Sequence, residues 1–515
     1  MDKLPFTGKE LQLFTPELCL IGAIVALLLL PFFVGRSATY VLAALALAGV
    51  GCALASALIW TNRFSEVSGT MMAGMLLVDP FSLFFKIFLL SFVALIIILW
   101  MTSAADSEQN APEFLILLLG AALGMALMVS TNNLLMMVLA TEMASLPSYV
   151  MAGFRKNNVK GSEASLKYVI FGSAAAAIMV YGISLLYGLF GTLDLPTLTA
   201  AAGQLELSKS PALIVALLMV MLGLAFKISA VPAHFWCPDV FEGAQVEVSA
   251  FLSVASKAAG LGLLLRIIVS MAAVEEPSAL ALDGRAVAVF VGIIAAATAT
   301  VGNLAAYFQT SLRRLLAYSS IAHAGYMLMA AAIMFDSKSN GLAAIAYYLV
   351  VYLFMNLVAF GVTAFVYRRT GDDSIDNFAG LGFRAPLLGV VMMIALFSLV
   401  GLPPFGGFFG KYMIFVELYQ AGIRAALPFH LGWTLLIVAA FNTVLSLFYY
   451  MRIARAMYFS EARTSTPISA PMSGRALLVF AAGILILIGI FWEPFTQLVG
   501  NYAHFADSVD LMARQ

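Results

Sequence analysis

Charge is what this sequence has least of. Asp, Glu, Lys and Arg make up 10% of its 515 residues, where an average soluble domain carries about 25%. That shortage excludes an ordinary solvated surface. The 27 basic and 27 acidic residues cancel, so the basic footprint of a nucleic-acid binder is missing as well. Cysteine is almost as scarce. Cys19, Cys52 and Cys237 are scattered with no CxxC pair, which speaks against iron–sulfur ligation and structural zinc. No GxGxxG follows a strand and no Walker loop occurs, so no nucleotide site is legible. Any redox chemistry or use of ATP then belongs to another chain.

What is there instead is apolar surface. Hydrophobic residues make up 63% of the chain. Apolar runs of about 20 residues recur from end to end, and none alternates with period two, so the fold class expected is an all-α polytopic membrane protein. About fourteen transmembrane helices are expected, near 14–34, 38–60, 80–102, 112–130, 132–154, 164–190, 211–231, 247–271, 286–308, 312–335, 341–367, 384–420, 430–458 and 474–498. A short half-helix is expected after Pro232. The connections are short, so residues 1–515 read as a single membrane domain. The first apolar run follows a polar, acidic start without a small-residue cleavage site and reads as a retained helix.

Basic residues set the orientation. Loops after odd-numbered spans hold Arg155, Lys156 and Lys160, then Arg313 and Arg314, then Arg368 and Arg369, then Arg455 and Arg463. Loops after even-numbered spans hold Arg63, Lys209, Arg285 and Lys338. The odd loops are expected to face the cytoplasm, with both termini on the opposite side.

Two spans are interrupted. "FKISAVPAHFW" carries Pro232 five residues after Lys227, and "GLPPFGGFFGK" carries Pro403 and Pro404 ahead of Lys411. Proline removes a backbone donor and clashes with the preceding turn. Broken backbone at membrane depth persists only where protein buries it or it lines a wet cavity. The breaks lie five spans apart, which suggests two inverted five-helix repeats, 112–271 and 286–458.

Because charge is so scarce, each charged residue inside a span carries weight. Glu142 in "LATEMASLPSYV", Lys227, Lys257 in "LSVASKAAG" and Lys411 are deep in spans five, seven, eight and twelve, and His323 in "YSSIAHAGY" is in the tenth. A buried charge costs about 2.5–3.5 kcal/mol on insertion scales, and a purely structural role has no need of it. Burial disfavours the charged form of an amine, so such lysines can load and release a proton. A Glu–Lys pair at about 6 Å and an effective dielectric near 20 is worth about 2.8 kcal/mol. A proton moved against about 150 mV needs about 3.5 kcal/mol, so making and breaking one pair has the scale of a pump step. Glu142 with Lys227 is the candidate pair.

Ser249, Ser253, Ser256, Lys257 and Gly260 share a face of the eighth span, and Ser319, His323 and Tyr326 share one of the tenth; such faces can order water. Other residues admit a plain structural role. Lys167 follows Glu163 by four, as in an ordinary helix-end pair. Asp79 precedes Pro80 as an N-cap would. His323 can also be a packing histidine.

At these residues the chain resembles the antiporter-like membrane subunits of respiratory complex I, most of all the subunit N type. The resemblance rests on "TEMASLPSYVMAGF", "EASLKYVIFGS", "KISAVPAHFWCPDVFEGA", "RRLLAYSSIAHAGYM" and "GLPPFGGFFGKY". It implies a proton-translocating subunit of an NADH:quinone oxidoreductase in the bacterial inner membrane. It also implies a relay through Glu142, Lys167, Lys227, His234, Lys257, His323 and Lys411. No cofactor or metal is then expected on this chain. NADH, FMN, iron–sulfur clusters and quinone belong to partner subunits, among them an antiporter-like neighbour and small helical subunits. Membrane lipid is a further partner. One departure stands out: Gln245, Val246 and Glu247 occupy the place where the family usually has Pro-Thr-Pro. An Mrp-type cation/proton antiporter subunit is the alternative reading, as is the equivalent subunit of a ferredoxin- or hydrogenase-linked complex.

Overall fold

A computed structural model describes residues 8–34, 38–62, 69–104, 110–155, 158–202, 210–272, 284–336, 338–425, 427–462 and 468–502. Lys156, Arg63, Lys209 and Arg463, used above to orient the chain, lie outside these residues, as does the polar start at residues 1–7.

Among the described residues thirteen helices are long and apolar enough to cross a membrane. The principal elements are α1 (Thr15–Leu29), α2 (Thr39–Asn62), α3 (Pro80–Ser103), α4 (Ala111–Val129), α5 (Leu134–Ala152), α6 (Val159–Phe190) and α7 (Pro211–Ile228). Then come the short α8 (Trp236–Gly243) and α9 (Val246–Met271). They are followed by α10 (Gly284–Ala306), α11 (Leu312–Ala332), α12 (Gly341–Thr370), α13 (Pro386–Val400), α14 (Gly406–Arg424), α15 (Leu431–Phe459) and α16 (Met472–Ile490). In hydrocarbon only intrahelical bonding satisfies the backbone of such runs. Proline opens α3, α7 and α13 at a position where its missing N–H costs nothing. Gly191 and Gly371 end α6 and α12 in the left-handed region, with φ of 67° and 71°.

Two features depart from the expectation. The single span expected over 384–420 is two helices, α13 and α14, parted at residues 401–405. A two-stranded antiparallel hairpin, β1 (Gly69–Met71) and β2 (Leu76–Val78), stands before α3. The half-helix expected after Pro232 is α8.

Burial separates centre from rim. In α9 and α11, 94% of the best membrane-spanning window is buried, against 28% in the span that contains α1. The centre is therefore made of the helices that carry Lys257 and His323. The outer faces stay apolar, as at Leu135, Leu139, Leu146 and Val150 of α5.

The loops collect on two faces. On one, Lys160 pairs with Glu242 at 3.0 Å, Arg314 with Asp239 at 2.6 Å, and Arg313 with Asp373 at 2.9 Å. These residues stand in the first turns of α6 and α11, in the loop after α12 and in α8. On the other, the backbone of Asn132 bonds Met75 at 2.9 Å, and Arg424 pairs with Asp336 at 2.6 Å. The basic residues after spans five, nine and eleven thus share one side.

Glycine sets the closest helix contacts. A Cβ on Gly124 of α4 would lie 2.4 Å from the backbone nitrogen of Ala144 in α5. A Cβ on Gly302 of α10 would lie 2.6 Å from that of Ala322 in α11. These two tight pairs fix α5, which carries Glu142, against α4 and α11, which carries His323, against α10.

Candidate functional site

The site begins at the end of α7. Lys227 is 1% exposed and donates from Nζ to Ser145 Oγ at 3.0 Å. Ser145 stands three residues along α5 from Glu142. Glu142 is half-buried and close enough to Lys227 for their charges to interact. Glu142 and Lys227 are the two members of the pair expected from sequence, and the Lys227 ammonium is held by the hydroxyl of Ser145. Beyond Lys227 the chain turns at Ser229, in the left-handed region with φ 63°. The indole of Trp236 donates to the carbonyl of Phe226 at 3.0 Å, fastening α8 to the end of α7. His234 is buried within this break, with its ring 4.4 Å from that of Phe235.

Lys257 lies next to this region. Gly260, one turn along α9, leaves room for the Lys227 stem: a Cβ there would meet Lys227 Cγ at 3.1 Å. Lys257 is fully buried, donates to Ser320 Oγ and stands over the Phe241 ring at 5.7 Å. Residues Leu252–Ser256 just before it form a π-helical turn, a feature found mostly at functional sites. The serine face read from sequence is only partly available. Ser249 bonds Phe241 O at 2.9 Å and Ser253 bonds Ala250 O at 2.7 Å, while the buried Ser256 Oγ has no hydrogen-bond partner. Tyr168 Oη is likewise buried without one. Unpaired buried hydroxyls of this kind are where internal water binds.

From Ser320 the polar groups continue along α11. His323 contacts Tyr348 Oη at 2.5 Å through Nδ1 and Tyr450 Oη at 3.2 Å through Nε2. Tyr450 also bonds Ser319. Tyr326 presents its ring to Lys411, whose Nζ is 4.9 Å from the centroid. Tyr326 Oη accepts from Asn303 at 3.4 Å, and Asn303 Oδ1 accepts from Tyr449 at 3.0 Å. Lys411 is 4% exposed and donates to the carbonyl of Val400 at 2.9 Å, across the break between α13 and α14.

The structure therefore gathers Lys227, Lys257, His323 and Lys411 in the buried centre, with the half-buried Glu142 at one end and hydroxyls beside Lys227, Lys257 and His323. Lys167 stands apart. It is 39% exposed and pairs with Glu163 and Asp239, each at 2.7 Å. With Lys160, Glu242 and Arg314 these residues line a cavity of about 150 Å³ on the face where the odd-numbered loops meet. Asp79 is the N-cap of α3, in a capping box with Ser82.

Sequence reading missed two buried ion pairs. Lys86 meets Glu17 at 2.8 Å, and Arg266 meets Asp79 while donating to Val129 O at 2.9 Å. Lys86 and Arg266 lie inside spans and were open to the argument used for Lys257. Their partners are far away in sequence. The phenols of Tyr348 and Tyr450 were missed too, because tyrosine in an apolar helix carries no distinguishing pattern. Among the described residues no group of three or more His, Cys, Asp or Glu could hold a metal ion.

The family profile described as "NADH:quinone oxidoreductase/Mrp antiporter, TM" matches residues 131–448. NADH-quinone oxidoreductase subunit N of Anaeromyxobacter sp. (strain Fw109-5) is 39% identical, over 96% of this chain and 97% of that protein. The chain belongs to the subunit N family. F(420)H(2) dehydrogenase subunit N of Methanosarcina mazei is 35% identical, over 95% of this chain and 98% of that one. Among solved structures, a chain of respiratory complex I from Thermus thermophilus with bound Aureothin superposes with TM-score 0.73 at 32% identity. It covers 92% of this chain and 97% of its own length. A chain of the Mrp complex from Dietzia sp. DQ12-45-1b superposes with TM-score 0.79, covering 97% and 98%, but at 20% identity. The fold is thus common to both kinds of complex, and the sequence is what separates them. As a subunit N family member the chain is a multi-pass integral membrane protein.

Proposed function

We propose that this chain is a proton-translocating membrane subunit of an NADH:quinone oxidoreductase in the bacterial inner membrane. The observation that carries the reading is the buried set Lys227, Lys257, His323 and Lys411, in which Ser145 meets Lys227, Ser320 meets Lys257 and the phenols of Tyr348 and Tyr450 meet His323. Amines and an imidazole can each take up and release a proton, and the hydroxyls beside them can pass one on.

In this reading electron transfer takes place on partner subunits, which hold FMN, iron–sulfur clusters and the quinone site. Glu142, half-buried on the rim of α5, is where a change of charge on a neighbouring antiporter-like or small helical subunit is felt. Drawing Lys227 toward Glu142 and away from Ser145 would change its readiness to hold a proton. Release would then proceed through Lys257 and His323 to Lys411. Lys167 and its carboxylates supply protons from the cytoplasmic face, and His234 lines the break beside Lys227. The paired close contacts at Gly124 and Gly302, five spans apart, support two inverted repeats over 112–271 and 286–458: an odd number of spans sets the second unit upside down.

The test is NADH-driven proton uptake by inverted membrane vesicles, native chain against Lys227→Ala. A sharp fall with the complex assembled supports the reading. Unchanged NADH-driven uptake with loss of sodium/proton exchange assigns the chain to an antiporter. Proton uptake driven only by reduced F420 or ferredoxin keeps the relay and replaces the electron donor.

A further inference from the structure

A large cavity lies outside this buried series. It measures about 680 Å³ and opens between α2, α3, α12 and the start of α16. Its polar end is formed by Arg368 and Arg369 in the last turn of α12 and by Ser473 in the first turn of α16. The N-cap of α16 is Pro471, whose side chain cannot accept from the first N–H groups of that helix. Its other end is apolar, with Leu47, Ile98 and Phe365 in the wall. Tyr40 and Leu47 both line it and stand seven residues apart on α2, about 10 Å along a helix. The cavity therefore runs from the helix ends about two turns into the hydrocarbon zone.

We infer that this cavity binds an anionic phospholipid, with its phosphate on the two arginines and its acyl chain along the wall. A guanidinium matches phosphate oxygens in a bidentate way, and a helix start whose N-cap is proline adds aligned N–H donors. The cavity lies on the face that carries Arg313 and Arg314, where acidic headgroups of that leaflet reach it. A soluble anion would use the arginines and Ser473 but leave the apolar wall without an occupant. A zwitterionic lipid would bring an ammonium into a site that already holds two cations.

The test uses the intact complex in detergent and does not depend on proton translocation. Phosphatidylglycerol, cardiolipin and phosphatidylethanolamine retained after extensive washing are counted by mass spectrometry. The samples are the native complex, the double variant Arg368→Gln/Arg369→Gln, and Leu47→Trp, which fills the wall and leaves both arginines. Both variants are expected to lose about one anionic phospholipid per complex with phosphatidylethanolamine unchanged. The affinity of the double variant for short-chain phosphatidylglycerol is expected to fall about thirtyfold. Equal retention in all three samples overturns the inference. Loss with the arginine changes but not with Leu47→Trp makes the site a surface anion patch and overturns it too. If inorganic phosphate alone protects the complex from heat as well as short-chain phosphatidylglycerol does, the ligand is a soluble anion and not a lipid. Should the double variant fail to assemble, Leu47→Trp carries the test.

Discussion

Lys411 Nζ reaches across the break between α13 and α14 and donates to the carbonyl of Val400 at 2.9 Å. Val400 is the last residue of α13, so the amine sits on the carbonyl end of a helix, where a positive charge is favoured. Gly401 makes this possible: its φ is 89°, and a Cβ there would lie 3.0 Å from Lys411 Cδ. A helix-end cap and a proton carrier differ in one respect: only the carrier must be able to lose its proton. Arginine can keep the bond to Val400 but stays protonated. Lys411→Arg is expected to reduce NADH-driven proton uptake in inverted vesicles at least about tenfold, as Lys411→Met does, with the complex assembled. Normal uptake with arginine would make Lys411 a fixed cap.

The hydroxyl of Ser145 holds the Lys227 ammonium. A hydrogen bond of this kind contributes about 1 kcal/mol, which corresponds to about a fivefold change in an equilibrium. Ser145→Ala is expected to slow the initial rate of proton uptake about fivefold, while Lys227→Ala lowers it sharply to a residual rate that can still be measured. In the double variant the serine change should have no further effect. Independent, additive losses would show that the bond has no part in transfer.

Gly124 leaves no room for a side chain against the backbone of Ala144. Overpacking costs about 1–3 kcal/mol where neighbours can shift, and backbone shifts less readily than a side-chain end. Gly124→Val is expected to lower the yield and melting temperature of the assembled complex. Gly188 has nothing within 4 Å of its Cβ position, and Gly188→Ala should leave both unchanged.

Asp373, in the loop after α12, gives a pH test. Burial pushes its carboxyl up, but Arg313 beside it and the Ser311 hydroxyl outweigh that and hold it below the ordinary aspartate value. A carboxylate depressed in the folded state stabilises above the unfolded value and loses that contribution as pH falls through the folded one. Asp373→Asn leaves Arg313 buried and unpaired, at a cost of about 3–5 kcal/mol. The variant is expected to melt well below the native protein at pH 7, and the gap should close below about pH 4. A gap unchanged between pH 7 and pH 3 would remove the ionised pair as its cause.

Span positions were legible because lipid demands continuous apolar helices. The interruption at Pro403 and Pro404 was legible as well, though not that it separates two complete helices. The buried charges at Glu142, Lys227, Lys257 and Lys411 could be weighed individually because so little else is charged. What those charges touch was not legible. Lys257 meets Ser320, a contact between two helices that the pattern of neither one encodes. Glu17 meets Lys86 and Asp79 meets Arg266 across packing that no local pattern encodes. The hairpin before α3 has strands of three residues each, too short for a period to show.

The Trp236 indole reports on one joint of the chain. It lies flat on Tyr168, with ring centroids 4.2 Å apart and planes at 7°, and is bonded to the carbonyl just before Lys227. Indole emission responds to stacking and to hydrogen bonding. A displacement of the α7 end that carries Lys227 away from Ser145 would pull on that carbonyl, so the subunit contains its own fluorophore at the joint between α7 and α8. Of the five tryptophans, Trp60, Trp100, Trp433 and Trp492 lie elsewhere. Replacing those four with phenylalanine would leave Trp236 as the one indole of this subunit, placed to report on the α7–α8 joint.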